Sequence, residues 1–278
     1  MSIKTAGLSR RNFILTSSVA SAGLLMAGHA SALLSPTPNT SGTTTHVDGI
    51  TVSSVLFRNN EIMMSGNIYV PPDFSENRQY AAIVVVHPGS GITIKASMTE
   101  RRVKALATVS AVDVGAATRK GWEGTTSESE LIPTLEAVAK QRTVEATGGA
   151  LVYVNYVPKL GDTSSPKDLQ EAAEYYLTER GKYPTSTNQM LMTSISTLAS
   201  FTGFEGADVY LTQPLLIVAG SKAGSLWHSQ ELHNTAASVQ KTLHIIPGAT
   251  HMDLYDGQGA TVAASQLVPF FKNYLAQV

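Results

Sequence analysis

The 278-residue chain contains no cysteine. Disulfides, thiolate nucleophiles and cysteine-ligated zinc or iron–sulfur centres are thereby excluded. Charge is sparse: 15% of residues are Asp, Glu, Lys or Arg, and the formal net charge is −1. No basic block or basic stripe interleaved with aromatics occurs, which argues against a nucleic-acid partner. No Gly-x-Gly-x-x-Gly opens a helix and no phosphate-loop Lys-Ser/Thr is present, so a nucleotide cofactor is not supported. The histidines show no helical metal-ligand spacing: His228 and His233 are five apart, His244 and His251 seven apart. No metal and no other cofactor is expected. No Gly-x-Ser-x-Gly occurs anywhere, so the usual turn for a catalytic serine is missing too. Acids are absent before Asp48.

What is present is 43% hydrophobic residues, enough for one globular domain with a sizeable core. The acid-free start carries Ser9-Arg10-Arg11-Asn12-Phe13-Ile14, then an apolar run from Val19 to Met26, then Ala30-Ser31-Ala32. Twin arginines, a short apolar stretch and a small-residue cleavage site predict a twin-arginine (Tat) export signal over residues 1–32. The alternative, an N-terminal membrane anchor, is disfavoured because the run is shorter than the roughly 20 residues a span needs. The expected partner of this segment is the Tat export machinery, and the expected location is periplasmic or secreted. A polar linker is expected over 33–47.

From residue 48 the pattern is layered. Val52–Phe57 and Ile62–Val70 alternate around Asn59-Asn60 and predict an antiparallel hairpin. Ala81–Val86 is a continuous apolar run of the kind buried on both faces of a sheet. Further strands are predicted at Lys104–Val112, Leu215–Ala219 and Thr242–Ile246. Helices are predicted at Ile92–Arg102, through the polar stretch 115–145, within 162–181, and at Asn188–Phe201, Ser229–Ala237 and Val262–Leu275. Alternating strands and helices imply an α/β fold with a mostly parallel sheet. The helical block at about 116–210 interrupts the alternation and reads as a cap insertion.

Three segments resemble the α/β-hydrolase superfamily, closest to bacterial dienelactone-hydrolase-like and peptidase-like members. "HPGSG" after the run 81–86 is similar to the family's oxyanion loop, implying roles for His87 and Gly89. "RRVKALATVSAVDVG" with "RKGW" resembles the strand after the nucleophile helix and the start of the cap. "QPLLIVAGSKAGSLWHSQELHNTA" through "LHIIPGATHMDLYD" is similar to the acid strand, its helix and the histidine loop. The resemblance implies a domain over 48–278, a small-molecule ester or amide substrate, and His251 in the place of the catalytic base.

The chain also departs from that pattern. Only 13 residues, Ile92–Lys104, separate Gly91 from the next strand, room for one short crossover helix. The usual helix, strand and nucleophile elbow do not fit there. A shortened sheet centre is therefore expected, as though an internal block were deleted. Gly224 occupies the place of the family aspartate. Ser90 has the only elbow-like surroundings, with Gly89 and Gly91 beside it. It reads either as a nucleophile or as a loop serine that caps a helix or lines the oxyanion hole. Asp253, Asp256 and Asp208 are the carboxylates weighed as a substitute acid. The expectations are thus a hydrolase of weak or no activity using Ser90 and His251, or a catalytically inactive hydrolase-fold binding protein or truncated gene product. The oligomeric state is left open.

Overall fold

The computed structural model describes residues 44–86 and 90–276. The expected export signal, most of the expected linker, and the expected oxyanion-loop residues His87 and Gly89 lie outside the described residues. The chain divides into two compact units, Met1–Val85 and Val86–Val278.

In the first unit, β1 (Thr44–Val47), β2 (Ile50–Asn59) and β3 (Ile62–Val70) form an antiparallel meander. The predicted hairpin is present and runs in register from Thr51 opposite Val70 to Asn59 opposite Ile62. Asn60 turns it with a positive φ of 51°, a conformation asparagine tolerates. The expected linker is shorter than predicted at its inner end, because Thr44–Val47 pairs with β2. Its threonines suit an exposed strand as well as they suit a linker.

One expectation fails in this unit. Ala81–Val86 takes part in no strand. Val85 is 87% exposed and Ile83 58% exposed. The run has the composition of an inner strand, but among the described residues no neighbouring strand pairs with it. β propensity is largely a fit to a pleated, half-buried surface, and without that surface the pattern has nothing to act on.

The second unit is the α/β layer. It begins with α1 (Ser90–Thr99), β4 (Leu106–Val109) and α2 (Val114–Lys120). The cap follows, with α3 (Ile132–Ala146), β5 (Tyr153–Asn155), α4 (Lys167–Leu177), β6 (Gln189–Leu191), α5 (Ile195–Ser200) and α6 (Ala207–Tyr210). The alternation then resumes as β7 (Leu215–Gly220), α7 (Leu226–Thr235), β8 (Lys241–Ile246) and α8 (Gly257–Leu275). Among the described residues the parallel sheet has three strands, in the order β4-β7-β8. β5 and β6 form a small antiparallel ladder of their own inside the cap. It replaces the first residues of the helix predicted from Asn188, whose side chain is tied instead to both backbone groups of Val157.

All six residues of β7 are buried, because both faces of the sheet are covered. Leu215 and Ile217 point to one side, with Leu106, Ile94 and Met98 of α1 and Leu232 of α7. Leu216 and Val218 point to the other, against Ala263, Val262, Leu267 and Phe270 of α8. The period of two in the strand meets one helical layer on each side.

Asp113 fastens the cap to this layer. Its Oδ1 accepts the amides of Gly115 and Ala116 at 2.9 and 3.2 Å, capping α2. Its Oδ2 accepts the amide of Gly203 at 2.8 Å, from the far end of the cap. Gly115 lets α2 approach the end of α5: a Cβ there would stand 1.8 Å from the Phe201 carbonyl oxygen.

Candidate functional site

The carboxyl ends of the parallel strands collect an unusual density of buried polar side chains. Ser110, Asp113, Asp168, Ser225, His228, Ser229 and His251 are all buried. In doubly wound sheets this edge is where ligand chemistry is placed. Ser110 follows β4 with a positive φ of 51°. Its Oγ donates to the backbone carbonyl of His251 at 3.2 Å, so the β4 exit supports the histidine loop.

His251 follows β8 on the predicted loop and is 2% exposed. Nδ1 lies 2.6 Å from Ser225 Oγ, and Nε2 lies 3.2 Å from the Tyr255 hydroxyl. The Trp122 ring meets the imidazole edge-on at 5.0 Å. Both ring nitrogens thus have hydroxyl partners, and one face has an aromatic neighbour from the cap. Burial disfavours the imidazolium and holds His251 down to about 4, with the Asp168 carboxylate opposing that effect. His251 is therefore a neutral imidazole at neutral pH, the form a general base requires.

Ser225 precedes α7, one residue beyond Gly224. A serine hydroxyl from this turn thus faces Nδ1 next to the place where the family aspartate was expected. The carboxylate near the site comes from elsewhere. Asp168, in the first turn of cap helix α4, accepts the Gly224 amide and the Trp122 indole N–H, each at 2.8 Å. Asp168 was not anticipated from sequence, because it lies 56 residues from Gly224 inside a helix whose spacing looks like ordinary amphipathic surface.

The three carboxylates weighed from sequence have other surroundings. Asp253 accepts the Thr250 amide at 2.9 Å inside its own turn. Asp256 pairs with Arg180 through two 2.7 Å contacts, which lower its carboxyl pKa. Asp208 lies in the first turn of α6. Ser90 is not brought to the imidazole. It opens α1, and its Oγ accepts the Val112 amide at 2.8 Å, while the adjacent Gly91 amide donates to the Val112 carbonyl at 3.0 Å. That geometry joins the start of α1 to the β4 exit.

A second buried imidazole completes the cluster. His228 is fully buried, stacked on Trp227 at 3.6 Å, and its Nδ1 accepts the Asp113 amide at 3.4 Å. Its Nε2 has no hydrogen-bond partner among the described residues. Burial pushes it down to about 3, helped by repulsion from a charged His251 and from Lys120. No group of His, Asp or Glu among the described residues is arranged to hold a metal ion.

No family model matches this chain. It is 31% identical to the uncharacterized protein YcjY of Escherichia coli strain K12 over 301 aligned positions, covering 81% of this chain and 98% of that protein. The match is longer than the 278-residue chain itself, so part of YcjY has no counterpart here. Among solved structures, the chain resembles the hypothetical protein PA2218 from Pseudomonas aeruginosa, with a TM-score of 0.62 and 20% identity, covering 90% of this chain and all of that one. It also resembles the α/β hydrolase GrgF from Penicillium sp. sh18, with a TM-score of 0.50 and 23% identity, covering 68% of this chain and 61% of that one. The chain belongs to the same family as YcjY, and its fold is that of the α/β hydrolases.

Proposed function

We propose that this protein is an exported α/β-hydrolase relative that keeps the base-histidine site of an ester or amide hydrolase but lacks a working nucleophile. One observation carries this reading. Both His251 nitrogens face hydroxyls of the histidine's own neighbourhood, Ser225 and Tyr255, while the Ser90 hydroxyl is engaged with Val112. Acyl transfer by a triad needs an accessible hydroxyl on one ring nitrogen and a carboxylate on the other. Among the described residues neither ring nitrogen has a carboxylate partner. The short stretch of 14 residues between Gly91 and β4 and the excess length of the YcjY match support a shortened centre as the cause. Export rests on the twin-arginine pattern of the first 32 residues. Among the described residues no helix is long and apolar enough to cross a membrane.

A second reading rests on one distance. Ser225 Oγ at 2.6 Å from Nδ1 is a hydroxyl in contact with a neutral imidazole, at the start of a helix whose N–H groups favour negative charge. Against it, Ser225 is 2% exposed. A fluorophosphonate probe on the folded protein, read by intact mass, separates the readings. No adduct is expected. An adduct lost in Ser225→Ala would establish the second reading, and one lost in Ser90→Ala would restore the elbow-like serine as nucleophile.

A further inference from the structure

Residues three and four apart share one face of a helix. Along α3 one such face runs from Leu131, just ahead of the helix, through Leu135, Val138 and Ala139 to Arg142. At 1.5 Å per residue it is about 16 Å long. Opposite it stand Ser196, Ala199 and Ser200 of α5. The two faces do not close on each other. Together with Arg119 of α2 they bound a cavity of about 550 Å³, a size at which small-molecule sites occur. None of these residues belongs to the buried polar cluster around His251.

The middle of this cleft is apolar. Leu131, Leu135 and the buried Val138 line it, and the two serines opposite turn their hydroxyls to their own helix. Ser196 Oγ donates to the Thr193 carbonyl at 3.1 Å and Ser200 Oγ to the Thr197 carbonyl at 2.9 Å. The charges are not balanced. Glu128 lies 3.8 Å from Arg119 Nε and 3.9 Å from Lys120 Nζ, so its charge is already offset by two cations. Arg119 Nη1 also donates to the Ala199 and Phe201 carbonyls, at 2.7 and 2.9 Å. Arg142 makes one long contact, from Nη2 to the Thr193 carbonyl at 3.4 Å, and no described carboxylate pairs with it.

We propose that this cleft binds a small monocarboxylate with an apolar chain, its carboxylate on the Arg142 guanidinium and its chain along Leu131, Leu135 and Val138. A guanidinium with uncommitted N–H groups takes a carboxylate through paired hydrogen bonds. A phosphate with two charges would need a second uncommitted cation, and Arg119 is already engaged. A neutral chain would leave the charge of Arg142 unanswered, and a cation would meet it with repulsion. The site needs no nucleophile, so it stands independently of the reading of His251.

Isothermal titration calorimetry of the full chain with sodium decanoate, below its micelle concentration, tests this. The expected result is one decanoate per chain, with acetate, decan-1-ol, decylammonium and inorganic phosphate each at least about tenfold weaker. Arg142→Ala should weaken decanoate about tenfold or more. Ala139→Leu fills the cleft from an exposed position of α3 and should weaken it as much. Urea unfolding checks that each variant is folded, and Arg142→Ala gives up a single 3.4 Å contact. No binding of decanoate by wild type up to about 1 mM would overturn the proposal. Equal or tighter binding of any of the other four probes would overturn it too, as would an unchanged decanoate affinity in either folded variant.

Discussion

Acidification should destabilise this protein through its two buried imidazoles, and the size of the effect follows from their surroundings. Burial holds His251 down to about 4 and His228 down to about 3, against an ordinary value of 6.5. Both are therefore neutral in the folded protein while an unfolded chain takes up protons below about pH 6.5. The unfolded state binds more protons, so stability falls as pH falls. The contribution is fully present above about pH 6.5 and is lost progressively down to the folded values. Between about pH 8 and pH 5 each imidazole should cost about 2 kcal/mol, about 4 kcal/mol for the pair. That is a large part of the 5–15 kcal/mol typical of a domain. The carboxylates of Glu100, Asp162 and Asp256, whose pKa values are lowered, act in the same direction but only at lower pH. Urea midpoints by circular dichroism at the two pH values, for wild type and His228→Phe, isolate one imidazole. Phenylalanine keeps the stacking on Trp227 and removes the titration. Its loss of the Asp113 amide contact shifts both midpoints equally. The acid-induced loss should shrink by about half in the variant. An undiminished loss would refute the assignment of His228 as a buried neutral group.

The remaining predictions concern the fastening of the cap. Asp168→Ala leaves the Trp122 indole and the Gly224 amide without their acceptor, so it should cost about 2–4 kcal/mol in urea unfolding and alter tryptophan fluorescence. An unchanged midpoint would show that the carboxylate does not hold the cap to the β7–α7 turn. Gly115→Ala places a methyl group against the Phe201 carbonyl and should cost about 2 kcal/mol or more, with exchange accelerating in α2 and α5 together. Protection lost in α2 alone would mean that the two helices are not coupled there.

The layered fold was legible because its signals are local. The six-residue apolar run of β7 and the amphipathic stretch of α8 have the periods of their elements. The hairpin was legible for the same reason, with Asn59-Asn60 between alternating strands. Ala81–Val86 misled because composition reports suitability for a sheet and says nothing of whether a neighbouring strand exists. The cap's β5–β6 ladder was missed because each strand is three residues long and the pairing spans more than thirty. At the candidate site, His251 was visible from the loop that carries it. Ser225 and Asp168 were not: one is a helix-start serine like many others, the other a surface-pattern acid that the cap carries across the sheet edge. The only sequence signal for Ser225 was its place beside Gly224, where an acid was expected.

The most direct test of the account is the hydrolysis of a p-nitrophenyl ester by purified wild type and His251→Ala. The two proteins are expected to give rates within about twofold of each other and close to buffer alone, because the proposed reading gives the imidazole no accessible nucleophile. A wild-type rate that falls a hundredfold or more in His251→Ala, a loss of about 3 kcal/mol of transition-state stabilisation, would show that the site is a working hydrolase centre.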